Sequence, residues 1–189
     1  MINHNIISLE DLDLIFADYA QEVLGLSQNK VLISYQENGQ ISSKINEDVV
    51  YIHAFIDQND VSNYKERIRE YDSSKDSILN MQHSMRVIGV DFVFYGPNSL
   101  VLSTILNDSF FLESGKEFLY KNNLSLIPSG IQNGIELHEK VNERWWKRSD
   151  LKMKFYNSIR TYEELQTIEE VNIEYIIADG EEIISNGGN

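Results

Sequence analysis

Between Asp150 and Tyr156 the apolar residues Leu151, Met153 and Phe155 recur at every second position, and Asp150, Lys152, Lys154 and Tyr156 take the alternate ones. That two-residue period belongs to a strand with one buried face; a helix would scatter the same side chains around its axis. The lead-in, NERWWKR, sets two tryptophans among basic residues, and six of the sixteen basic residues (Lys140, Arg144, Lys147, Arg148, Lys152, Lys154) fall between positions 140 and 154. Such a cluster invites a nucleic-acid reading, but the alternation makes it a sheet strand first. Adjacent strand positions face opposite ways, so one of Trp145 and Trp146 is expected as a core anchor and the other at a surface or interface. The spacing leaves open which is which.

A chain of 189 residues, 42% of them hydrophobic, is long enough to bury roughly 70% of its unfolded surface as one domain, here residues 1–177 with a flexible tail at 178–189. A net charge of −14 opposes general affinity for nucleic acid, where phosphate neutralisation dominates. Cysteine is absent, which removes disulfides and thiolate chemistry and suits a reducing compartment. The start, MINHNIISLEDLD, has neither a basic nor an apolar leader region, and no run approaches the roughly eighteen apolar residues of a membrane span. The expectation is a soluble, cytoplasmic protein with no membrane contact.

The best-signalled helix spans about Leu9 to Leu24, with Leu12, Ile15, Phe16, Tyr19 and Val23 on one face, Ser8 as N-cap, Asp11 completing a variant capping box, and Gly25 closing the end. Lys30 to Tyr35 reads as a short strand followed by an Asn38-Gly39 hairpin turn, and Val49 to Asp57 as a second, more apolar strand. From Gln58 to Asn80 the composition turns charged and polar, which reads as a long loop or an extended hairpin arm able to make contacts, or equally as a solvated linker. Met81 to Tyr95 is apolar on both faces, as in a central strand. Gly96-Pro97 then starts a helix with the stripe Leu100, Val101, Thr104 and Ile105. A further helix runs from Phe111 to Asn122, its inner face Phe111, Gly115, Phe118, Leu119 and Asn122; Gly115 there points to close packing or a short break. Leu124 to Ile131 reads as a strand, Gly134 to Asn142 as a connecting turn or short helix, and the tryptophan-led strand is followed by an EELQT link and a final strand from Glu169 to Ile177.

The order of elements specifies an α+β domain, a mainly antiparallel sheet with helices packed on one face, plus the arm at 58–80. Thr161 to the C-terminus holds eight acidic residues and no basic one, directly after the basic strand. Opposed signs of this kind can stitch identical subunits together or pair within one chain. The candidate subunit or partner interface is therefore Arg144, Trp146, Lys147, Arg148, Lys152 and Lys154 on the strand, Lys65, Arg67 and Arg69 on the arm, and Glu169 and Glu170 in the acidic stretch.

The common catalytic frameworks are missing: no glycine-rich phosphate loop, G-x-S-x-G, H-E-x-x-H or C-x-x-C occurs. Glu163-Glu164 and Glu169-Glu170 are adjacent carboxylates of the kind usually found solvated, and His53 and His138 lack the partners of a metal site. No catalytic residue, cofactor or metal is expected. A small soluble enzyme using acidic residues, or a regulatory binding module, remains the alternative from a different class.

Arg144-Trp145, then Lys147-Arg148-Ser149 leading into LKMKFYNSI, resembles the arginine-tryptophan-rich strand of the phage neck and tail-terminator (tail-completion) proteins, and the order of the other elements is similar over about residues 9 to 176. Where that family carries an acidic residue after the first tryptophan, this chain has Trp146. The resemblance implies a virion structural protein: a subunit of a ring, commonly hexameric, assembled in the host cytoplasm, that caps the tail tube and receives the head-tail connector proteins while DNA passes through unbound. A head-completion or connector protein on the head side of the joint is the alternative within the same class.

Overall fold

The computed structural model describes residues 2–4, 6–35, 44–57, 64–74, 77–141, 143–166, 175–176 and 182–183. Its strands are β1 (Ile2–His4), β2 (Val31–Ile33), β3 (Val49–Asp57), β4 (Lys65–Asp72), β5 (Ser77–Tyr95), β6 (Leu124–Leu126), β7 (Gln132–Val141), β8 (Arg144–Gln166), β9 (Tyr175–Ile176) and β10 (Glu182–Ile183). The helices are α1 (Leu9–Leu24), α2 (Ser99–Ser109) and α3 (Glu113–Lys121). Eight strands form one sheet in the order β1-β8-β5-β3-β2, with β4 also on β5, and β6 and β7 also on β8; β9 and β10 pair only with each other. Every pairing in the large sheet is antiparallel except β2 with β3. The helices pack against it, and the fold is α+β.

The axis of the sheet is the ladder between β5 and β8, which runs without a slip from Tyr95↔Arg148 to Ser77↔Gln166. At about 3.3 Å per residue these strands extend some 60–75 Å, twice what one helical layer covers. Over the half nearest Tyr95, alternation sends Ile88, Val90, Phe92 and Phe94 of β5 and Leu151, Met153 and Phe155 of β8 into the core. Helix α1 lies on this face with the ends and caps its sequence prescribes: Ser8 Oγ accepts from the Asp11 amide at 3.0 Å, and Gly25 is left-handed at φ 63°. Phe16 is the hub, its ring 4.9 Å from Phe155 and 6.1 Å from both Phe92 and Phe118. Asp13, buried on the same helix, accepts a 2.6 Å hydrogen bond from the Ala54 amide, beyond the end of the β2 pairing, where the strand would otherwise leave that donor bare.

Several elements depart from the sequence reading. β2 and β3 run parallel, so they are not the two arms of an Asn38-Gly39 hairpin; that turn lies outside the described residues. Lys65 to Ser84 is an antiparallel hairpin, the arm that the sequence reading offered beside a loop, but β5 begins at Ser77 rather than Met81. Helix α2 starts at Ser99, after a turn held by Asp48, whose carboxylate accepts from the Asn98 amide at 2.9 Å. Its expected apolar stripe faces outward, with Val101 57% exposed, and Ser99, Ser103, Leu106 and Ser109 face the sheet instead. The reason is close approach: Ser103 meets Ser149 at 2.9 Å, and a Cβ on Gly134 would come 2.4 Å from Ser103 Oγ. Helix α3 begins at Glu113, leaving Phe111 exposed, while Gly115 and Leu119 are buried as expected. The strand expected over Leu124 to Ile131 stops at Leu126, and the stretch taken as a connecting turn or short helix is β7, paired to β8. The EELQ link belongs to β8, which extends to Gln166. Most of the strand expected at Glu169 to Ile177 lies outside the described residues, and the stretch 178–189 contains β10.

Gly115 sits so close to α1 and the end of α2 that a Cβ would lie 2.2 Å from the Ser109 carbonyl oxygen and 2.9 Å from the Tyr19 hydroxyl. Helix propensity favours Gly115→Ala by about 1 kcal/mol. Overpacking against backbone opposes it by about 1–3 kcal/mol, so the variant is expected to lower the denaturant midpoint. Asp13→Leu, which leaves the Ala54 donor buried and unpaired, is expected to cost about 1–3 kcal/mol in the same measurement, and more than Asp13→Asn.

Candidate functional site

The alternation that buries Leu151, Met153 and Phe155 puts Arg144, Trp146, Arg148, Lys152 and Lys154 together on the opposite, helix-free face of β8. Lys147 falls on the helix side with Trp145. The pairing then decides what these cations meet. Tyr95 stands opposite Arg148, Asp91 opposite Lys152, and Gly89 opposite Lys154.

Arg148 is the centre of the face. Its guanidinium grips Asp150 through two bonds of 2.6 and 2.9 Å, donates to Glu139 at 2.9 Å, and lies 5.7 Å from the centre of the Tyr95 ring. Tyr95 donates its hydroxyl proton to the same Glu139 oxygen at 2.7 Å. Those two donors hold the Glu139 carboxyl below the usual carboxylate range, and burial together with the Glu139 bond pushes the Tyr95 phenol up, so at neutral pH one is ionised and the other is not. Trp146 packs edge-on to Tyr95 with ring centres 6.2 Å apart and is half-buried; Trp145 points the other way and is 64% exposed. Neither tryptophan is in the core: Trp146 lies on the helix-free face, and Trp145, on the helix side, is exposed.

The remaining cations find acids on neighbouring strands. Lys154 binds Asp57 at 2.6 Å, Lys152 lies 3.6 Å from Asp91, and Lys147 lies 3.8 Å from Glu136. These partners come from β3, β5 and β7, not from the acidic stretch after Thr161, which the sequence reading offered as the match. The strand order explains it: β7 and β5 flank β8 directly, Lys154 reaches across β5 to Asp57 on β3, and Gly89 between them leaves its space to the Phe55 ring. Glu169 and Glu170 lie outside the described residues. Arg144 is exposed and has no ion pair among the described residues. Sequence reasoning missed Tyr95, Asp91 and Glu139 as a constellation on this face, and Glu136 as the partner of Lys147 on the other, although each stands in an alternating strand segment.

The far half of the ladder forms the arm. Beyond Val87, β5 and β8 continue with β4 on one edge and β1 on the other. Of the described side chains over 64–71 and 77–86, only Ser77 is buried, and among the described residues no second layer covers either face. Alternation sorts β4 by charge: Lys65, Arg67 and Arg69 form one row, opposite Ser84, Gln82 and Asn80, and Glu66 and Glu70 project from the other side. The three cations are exposed and make no ion pair among the described residues, whereas Glu66 lies 3.6 Å from His83. Elsewhere, an open, mainly apolar groove of about 630 Å³ lies between α3 and β6, lined by Phe110, Phe111, Leu119, Tyr120 and Leu126. Among the described residues no three His, Asp or Glu side chains converge as metal ligands, and no helix is long and apolar enough to cross a membrane.

Because the folded Glu139 carboxyl is held down, its contribution to stability is present above the unfolded value of about 4.3 and is lost as pH falls through the lower folded value. Glu139→Gln is therefore expected to be less stable than the parent at pH 7, with the gap in urea midpoint narrowing below about pH 4.

No curated protein matches the chain significantly. A family model described as phage neck terminator protein matches residues 10–180, nearly the whole chain, and the protein belongs to that family of phage structural neck proteins.

Proposed function

We propose that this member of the phage neck terminator family is one subunit of a homo-oligomeric ring, hexameric in its simplest form, that closes the finished tail tube and joins it to the head connector proteins. The observation that carries the reading is the arm. A sheet of β4, β5, β8 and β1 that extends past its own helical layer, with neither face covered by a second layer among the described residues, is poorly stabilised alone and gains most from packing on a neighbour. The cysteine-free, acidic chain keeps subunits soluble until they meet the tube, and a net charge of −14 lets a DNA duplex slide through the lumen without adhering.

In this role the face around Arg148 has a local duty. Its charges are already neutralised by Glu139, Asp150, Asp91 and Asp57, which flattens the sheet electrostatically and holds strands in register. Contacts between subunits fall to what stays available: Arg144, the exposed Trp145, the row Lys65, Arg67 and Arg69, and the acidic stretch with Glu169 and Glu170.

Purified protein mixed with tail tubes lacking a terminator is expected to appear as a ring at one tube end in negative-stain images, and a chain in which residues 65–84 are replaced by a short turn is expected to leave the ends bare. Rings found only on head connectors, with tube ends bare, would move the protein to the head side of the joint.

A further inference from the structure

The arm's cation row makes no ion pair among the described residues, and α1 carries its chemical complement. Helix α1 contains no basic residue; Glu10, Asp11, Asp18 and Glu22 are exposed on the side away from the sheet, with Leu14, 53% exposed, among them. At 1.5 Å per residue the run from Glu10 to Glu22 covers about 18 Å. Alternate residues of a strand are about 6.7 Å apart, so Lys65 to Arg69 covers about 13 Å and fits within that run. Two rows of opposite sign thus stand on separate elements of one molecule. Among the described residues no ion pair joins them within the chain.

We infer that the Lys65–Arg67–Arg69 row of β4 docks on the Glu10–Asp18–Glu22 face of α1 in a second copy of this chain. The inference rests on the ring reading and adds to it the two surfaces that meet. Two features select a second copy. Because the patches differ, the contact can be made head-to-tail, the kind that propagates from copy to copy and closes into a ring. Duplex DNA would also attract cations, but three of them on a chain of net charge −14 make a weak phosphate site. The cations further dictate how the contact is made. β4 is an edge strand, and lysine and arginine along an edge discourage addition of another strand. The partner is therefore engaged by side chains on one face and not by extending the sheet. Charge complementarity of this kind fixes partner and register, and it weakens with salt.

A charge swap tests the contact, with self-association read by sedimentation, alone and with tail tubes, and folding checked by circular dichroism. Arg67→Glu with Arg69→Glu is expected to weaken association about tenfold or more, as is Asp18→Arg with Glu22→Arg, while a chain carrying all four changes recovers to within about threefold of the parent. All these positions are exposed, so the fold is expected to survive. If both pairs of changes leave association unaltered, or the fourfold variant is no better than either pair, the docking is wrong and the ring stands. If the parent itself never associates, with or without tubes, the ring reading falls and this contact with it.

Discussion

The ladder between β5 and β8 is the constraint on which the rest of the molecule depends. Its register is unbroken from Ser77↔Gln166 to Tyr95↔Arg148, so one choice of which side chains face the helices holds along the whole length of both strands. Near Tyr95 that choice buries Phe92, Leu151 and Phe155 under Phe16; farther out the same alternation lines up the outer strand β4 as a row of three cations backed by acids. A one-residue slip would send the core residues to solvent and break the Arg148 cluster at once. Core stability and surface chemistry are thus two readings of a single pairing.

That pairing also separates two uses of charge in an acidic protein. Along the covered half, each lysine or arginine of β8 from Lys147 to Lys154 has a carboxylate within reach from an adjoining strand or from β8 itself. Exposed pairs of this sort add little to stability, about 0–1 kcal/mol each, but they remove the face as an anchor for phosphate or for a charged partner. Along the uncovered half the cations of β4 are left free among the described residues, and they are where a subunit of the neck terminator family can still attract something. A basic tryptophan-containing strand and a polar hairpin look alike as composition. The neighbours supplied by the sheet distinguish them.

How much of this was legible in the chain follows from the range of each interaction. Helix α1 and strand β3 were read to the residue, because capping at Ser8, the left-handed Gly25 and a run of apolar residues are local signals. The alternation of Leu151, Met153 and Phe155 gave the core face of β8 for the same reason. β7 was read as a turn because Gly134 and the loop before it mask a two-residue period in Ile135 and Leu137; the glycine is there to let Ser103 and Ser149 approach. The stripe of α2 was read inside out. Leucine, valine and isoleucine at helical spacing normally mark the buried face, but at the close approach of Ser103 to Ser149 a small side chain is needed, and Leu106 is the one large apolar residue of α2 that is fully buried.

The sequence by itself therefore determined the class of fold, the ends of the first helix, the inner face of β8 and, through the arginine-tryptophan strand, the family. Tertiary structure alone decided which acid neutralises which base, which tryptophan is covered, that residues 65–84 form a hairpin and not a loop, and that its cations form one row. The division is physical. Periodicity and caps act over a few residues and are written in order along the chain, whereas an ion pair such as Lys154 with Asp57 joins positions far apart in sequence and exists only once the ladder has set its register.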